Sequence, residues 1–107
     1  MVKKPGMPVR GSTTGRPLMV LLDALGQRWS LRILWELRAE VLTFRALQSR
    51  CDEISPTILN RRLQELRELQ LIELSPEGYR LTDWGRKIGK QLTQLDMLAS
   101  EWAKDLR

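Results

Sequence analysis

Ile54-Ser55-Pro56-Thr57-Ile58-Leu59-Asn60-Arg61-Arg62-Leu63-Gln64-Glu65-Leu66 describes a helix with a marked beginning and two unlike faces. Ser55 offers an oxygen to the free amides of the first turn, and Pro56 suits the first helical position, where its missing N–H costs nothing. At about 100° per residue, Leu59, Leu63 and Leu66 fall on one side, while Thr57, Asn60, Arg61 and Gln64 gather on the other. One side can anchor the helix in a core. The other presents hydrogen-bonding groups outward.

Upstream, Thr43 caps a helix running from Phe44 to about residue 50, with Phe44 and Leu47 inward. Cys51-Asp52-Glu53-Ile54 is then the turn between the two helices. Helix, four-residue turn and capped helix make the spacing of a helix-turn-helix. Further back, Pro17 opens a helix over residues 18 to about 25 that is apolar on nearly every side before Gly26 interrupts it. A second helix, 29 to 38, spreads Leu31, Ile33, Leu34, Trp35 and Leu37 over a wide arc and leaves Arg32 and Glu36 for solvent, which makes it the centre of the core. Val41-Leu42 has the character of a very short strand.

Downstream, alternation sets Ile72 and Leu74 inward and Glu73 outward, then a four-residue loop Ser75-Pro76-Glu77-Gly78, then Tyr79 and Leu81 inward with Arg80 outward. A β-hairpin following the polar-faced helix converts a helix-turn-helix into a winged helix. Thr82 caps the last helix, with Asp83 well placed in its first turn. Ile88, Leu92, Leu95, Ala99, Trp102 and Leu106 follow at spacings of 4, 3, 4, 3 and 4, an a/d seam. The expected fold is mainly α with a small β-hairpin. Its terminal helices are expected to form a dimer interface through that seam and Leu18, Leu21 and Leu22, because so short a chain has little core in which to bury both.

The chain has room for one domain, read as residues 17–107 behind a flexible basic tail, 1–16. The tail holds three glycines, two prolines and four positive charges, too few apolar groups to offset the entropy of ordering. It reads equally as a solubilising extension or as an arm that tracks phosphates. The net charge of +5 owes much to it, since 14 basic face 13 acidic residues from Leu18 onward. Any affinity for a polyanion then depends on where the charges sit. The apolar runs are too short for a bilayer and the amino end lacks a signal peptide, so no membrane is expected and the location reads as cytoplasmic.

The single Cys51 excludes an intrachain disulfide, and without histidine the usual zinc spacings and catalytic triads are absent. No metal or cofactor is expected. Glu65, Glu68, Glu73 and Glu77 read as solvated charges without a pocket, so the chain is not expected to be an enzyme. Cys51 sits beside Arg50 but also Asp52 and Glu53, a mixed field that favours a small turn-filling side chain over a redox sensor.

Four pieces carry a family resemblance: Leu25-Gly26-Gln27-Arg28-Trp29-Ser30-Leu31-Arg32-Ile33-Leu34; Thr43-Phe44-Arg45-Ala46-Leu47; Ile54-Ser55 with Leu59-Asn60-Arg61-Arg62-Leu63-Gln64-Glu65-Leu66; and Tyr79-Arg80-Leu81-Thr82-Asp83-Trp84-Gly85. In this order the chain resembles the HxlR-type winged-helix transcription regulators, relatives of the MarR group. The resemblance implies a homodimer whose terminal helices associate, with each subunit's helix-turn-helix in the major groove of double-stranded DNA and its hairpin against the neighbouring backbone. Redox-sensing members keep a cysteine just ahead of the first helix. This chain has Arg16-Pro17-Leu18 there, so that mode of sensing is not implied. The hairpin is also shorter than is usual and bears Glu77 near its tip, leaving Arg80 as the wing residue for a phosphate.

In a major groove, Arg61 can reach the paired acceptors of guanine, Asn60 and Gln64 can each make two bonds to adenine, and Thr57 can reach a base or a phosphate. Thr43, Arg45 and Ser55, at helix starts, suit phosphates. Arg62 lies nearer the apolar face and suits a phosphate or an internal carboxylate. The expected function is a homodimeric repressor at a pseudo-palindromic site with half-sites about 34 Å apart; no small-molecule effector is legible. The alternative is a winged helix serving as a protein-interaction or assembly module. RNA is disfavoured, since Tyr79 and Phe44 are both committed to the core.

Overall fold

Three hydroxyl groups decide where three of the helices begin. In the computed structural model, which describes residues 2–106, Thr43 Oγ1 accepts from the Ala46 amide (3.1 Å), Ser55 Oγ from Ile58 (3.3 Å) and Thr82 Oγ1 from Gly85 (3.1 Å). The element order is α1 (Pro17–Leu25), α2 (Ser30–Leu37), α3 (Phe44–Arg50), α4 (Pro56–Glu68), β1 (Ile72–Ser75), β2 (Gly78–Leu81) and α5 (Asp83–Asp105). This is the mainly helical winged helix-turn-helix expected. Met1 and Arg107, the outer ends of the expected tail and domain, lie outside the described residues.

The core forms where the apolar sides of α2, α3, α4 and the hairpin meet. Ile33, Leu47, Leu59, Leu63, Leu66 and Ile72 are all essentially inaccessible to water. Each such side chain contributes about 1.5 to 3 kcal/mol by leaving water, which holds α4 by its leucine side. The α3–α4 turn is closed by main-chain bonds, Glu53 N–H to Gln48 O (2.9 Å) and Ile54 N–H to Cys51 O (3.2 Å), with Asp52 and Glu53 both at positive φ (58° and 56°).

Several expectations are corrected. Ser75 pairs with Gly78, so the hairpin loop is the two residues Pro76 and Glu77 and not four. Gly78 has a φ of 138° and its backbone lies so close to the Leu42 carbonyl that a Cβ would stand 2.6 Å from the oxygen. The strand expected at Val41-Leu42 is reduced to a single bridge, Leu42 with Tyr79. Leu74 pairs with Tyr79 but is 51% exposed, whereas Tyr79, bridged to Leu42, is buried. On α2, Leu31 is exposed while Glu36 is half-buried, held by Arg32 (2.9 Å) and Arg50 (3.5 Å). The leading segment has local order: Gly6 N–H donates to Gly15 O (2.9 Å), Val9 and Ser12 form a bridge, and Val2 is buried beside Ala24, Leu66 and Leu69.

The end of α4 is a paired-bond stop. Gln70 N–H donates to Arg67 O (2.9 Å) and Leu71 N–H to Leu66 O (3.0 Å), with Gln70 at a φ of 60°. Glycine is the residue usually found at such a position. The variant Gln70→Gly is expected to raise the unfolding free energy by about 1 kcal/mol, read as a higher urea midpoint at unchanged m value. A lower midpoint would mean that the glutamine side chain itself holds this turn.

Candidate nucleic-acid interface

Because Leu59, Leu63 and Leu66 are buried, the opposite side of α4 has nowhere to go but outward. Thr57, Asn60, Arg61 and Gln64 are all exposed, and none makes a side-chain hydrogen bond or ion pair with another described residue. Together they form a row of free donors and acceptors over two turns. Glu68, one turn beyond Gln64, is exposed on the same side. Composition marks it only as a solvated charge, but the same 100° periodicity sets it at the end of the row.

The flanking residues are more occupied. Thr43 and Ser55 spend their oxygens on capping, leaving their hydroxyl protons free to be donated. Arg45 is exposed at the start of α3, where its Nη1 reaches Gln48 Oε1 (3.0 Å) and Glu53 Oε1 (3.3 Å). Arg80 lies on the outer side of the hairpin with its Nε on Glu73 Oε2 (2.6 Å). Of the two roles read for Arg62, the structure selects the internal one: its side chain is only 12% exposed, donating through Nε to the Arg28 carbonyl (2.8 Å) and through Nη1 to Glu65 (2.6 Å). Arg62 therefore ties α4 to the α1–α2 turn and leaves the phosphate set.

Behind the row, Arg32 of α2 supports the helix-turn-helix. It donates to the Arg50 carbonyl (2.6 Å) and Glu36 (2.9 Å) and lies 3.7 Å from Asp52. The hydrogen bond to Glu36, chiefly, holds its guanidinium above the ordinary arginine range. Arg50 extends the chain of charges to Glu40. Cys51 is fully buried in the turn, and burial pushes its thiol up against the weaker pull of Arg32. It stays a neutral, turn-filling thiol.

A second surface lies on α1 and α5. Leu21, Ile88 and Leu92 are half-buried against the core, whereas Leu18 and Leu22 are exposed, as are Leu95, Ala99, Trp102 and Leu106. Leu98, which the seam did not include, is 59% exposed beside them. Leu31 and Trp35 of α2 continue this apolar strip into a groove against Leu92, Leu95 and Ala99. Among the described residues no helix is long and apolar enough to cross a membrane, and no three His, Cys, Asp or Glu side chains gather as a metal site would need.

With this geometry in view, the comparisons with known proteins are specific. A family model described as HxlR-like helix-turn-helix matches residues 24–107. No curated protein sequence matches the chain. Among solved structures, quinone-bound YodB from B. subtilis is similar with a TM-score of 0.72 at 24% identity, covering 78% of this chain and 94% of that one. The reduced form of the transcriptional regulator YodB has a TM-score of 0.70 at 23% identity, over 81% and 92%. A chain assigned to the MarR family of transcriptional regulators from Porphyromonas gingivalis has a TM-score of 0.64 at 22% identity, over 99% of both chains. At these identities the likeness is one of fold.

The two adjacent arginines of α4 should separate in a stability measurement. Removing Arg62 strands Glu65 and the Arg28 carbonyl, so Arg62→Ala is expected to cost about 1 to 3 kcal/mol in urea unfolding. Arg61→Ala, on the free side, should stay within about 0.5 kcal/mol of the parent. Equal losses would contradict the assignment.

Proposed function

The chain belongs to the HxlR-like helix-turn-helix family, and from that premise we propose that it is a sequence-specific double-stranded DNA-binding transcription regulator, acting as a homodimeric repressor on a pseudo-palindromic site. The observation that carries this reading is the free polar row of α4, Thr57, Asn60, Arg61 and Gln64, on a helix immobilised by its opposite side.

In the proposed complex α4 enters the major groove. Arg61 donates twice to guanine; Asn60 and Gln64 pair with adenine; Thr57 meets a base or a phosphate. Thr43, Ser55 and Arg45 take phosphates beside α3 and α4, and Arg80 takes one beside the hairpin. The basic residues Lys3, Lys4, Arg10 and Arg16 add attraction for the backbone. The exposed strip of Leu18, Leu22, Leu95, Ala99, Trp102 and Leu106 supports the dimer, since a lone chain leaves that much apolar surface in water. Two-fold pairing would set two copies of α4 about 34 Å apart, one turn of the duplex. Occupying such a site excludes polymerase or another factor, which is the basis for assigning repression.

Titrating mixed-sequence duplex DNA at a series of salt concentrations is expected to give a log–log slope of about −0.9 per phosphate contacted. At a selected site, Arg61→Ala or Gln64→Ala should each cost about 1 to 3 kcal/mol and relax the base preference at one position. Salt-insensitive or absent binding would instead favour a protein-interaction module. Sedimentation should show a dimer that Leu95→Glu with Trp102→Glu converts to a folded monomer; an unchanged dimer would move the interface elsewhere.

A further inference from the structure

Of the four arginines read from the sequence as DNA contacts, only Arg61 has no carboxylate partner among the described residues. Arg62 is enclosed with Glu65 (2.6 Å), Arg45 meets Glu53 (3.3 Å) and Arg80 meets Glu73 (2.6 Å). The two outer pairs differ from the first in being open to water, with side-chain exposures of 74% and 60% for Arg45 and Glu53 and 49% and 46% for Arg80 and Glu73. Such a pair contributes little to folding. Its effect falls on the surface, where it cancels the charge that would seek a phosphate.

Resting on the DNA-binding reading, we propose that Glu53 and Glu73 act as a brake on sequence-independent DNA binding. In the free protein they hold Arg45 and Arg80; when these guanidiniums turn to phosphates, the two carboxylates remain beside the backbone as repelling charges. Binding to arbitrary DNA is driven almost wholly by phosphate neutralisation. With two of three exposed arginines compensated, phosphate contact alone holds the protein weakly, and stable occupancy requires the base contacts of Arg61, Asn60 and Gln64. The backbone favours this use of Glu53. Its positive φ of 56° and its amide bond to Gln48 O fix it in the turn, where its side chain reaches Arg45 at the start of α3.

The test uses the full chain and mixed-sequence duplex DNA at low salt, with Glu53→Gln, Glu73→Gln, the double variant, and Glu101→Gln on α5 as a control of equal charge change. Glutamine keeps size and backbone, so the fold is preserved; circular dichroism verifies it. Each hairpin or turn variant is expected to bind about threefold more tightly, and the pair about tenfold. Glu101→Gln should change binding by less than either. In the Glu53→Gln background, Arg45→Ala should erase the gain. No gain, an equal gain from Glu101→Gln, or a gain that survives Arg45→Ala would overturn the brake while Arg61-dependent binding leaves the DNA reading standing. Loss of all salt-sensitive binding in every variant would overturn both.

Discussion

Everything in this molecule depends on a stripe of three leucines. Leu59, Leu63 and Leu66 are buried in one apolar cluster with Ile33 of α2 and Leu47 of α3, and their burial fixes the rotation of α4 about its own axis. A helix turned by one position would carry Asn60 or Gln64 into an apolar core without partners, at a cost of several kcal/mol. The polar row is thus exposed by exclusion. Its orientation is a property of the core and not of the row itself.

The turn between α3 and α4 carries that constraint to the start of the helix. Asp52 and Glu53 adopt positive φ without being glycine, which is unfavourable for each residue. The strain is met by surrounding bonds: Gln48 closes the turn through its main chain and its side chain, and Arg32 grips the Arg50 carbonyl from α2. Cys51 fills the space beneath, neutral because it is buried. Arg62 secures the middle of α4 to the α1–α2 turn. Near the polar row Arg62, Arg45 and Arg80 each have an acid partner, Glu65, Glu53 and Glu73, which leaves the surface less basic than a count of its residues suggests.

The outer helices show the reverse imbalance. The first half of α5 rests on the hairpin and α2, but from Leu95 onward its apolar side chains overhang the core. Among the described residues, the second half of this 23-residue helix has no other element of the chain over its apolar side chains. The same geometry that frees α4 to face a partner leaves α1 and α5 short of one.

How much of this was legible beforehand follows from the range of the forces involved. The helix starts at Thr43, Ser55 and Thr82, the separation of α4 into two faces, the hairpin and the family all stood in the sequence, because capping and periodicity act within a few residues. Tertiary structure alone decided that Leu74 and Leu31 face water while Glu36 is half-buried, that Arg62 turns inward to Glu65, that Arg45 and Arg80 are held by Glu53 and Glu73, and that two residues close the hairpin. Alternation tells which side a residue is on, but not whether another element covers that side. Long charged side chains choose among several partners within reach, and that choice is settled only when distant segments are brought together.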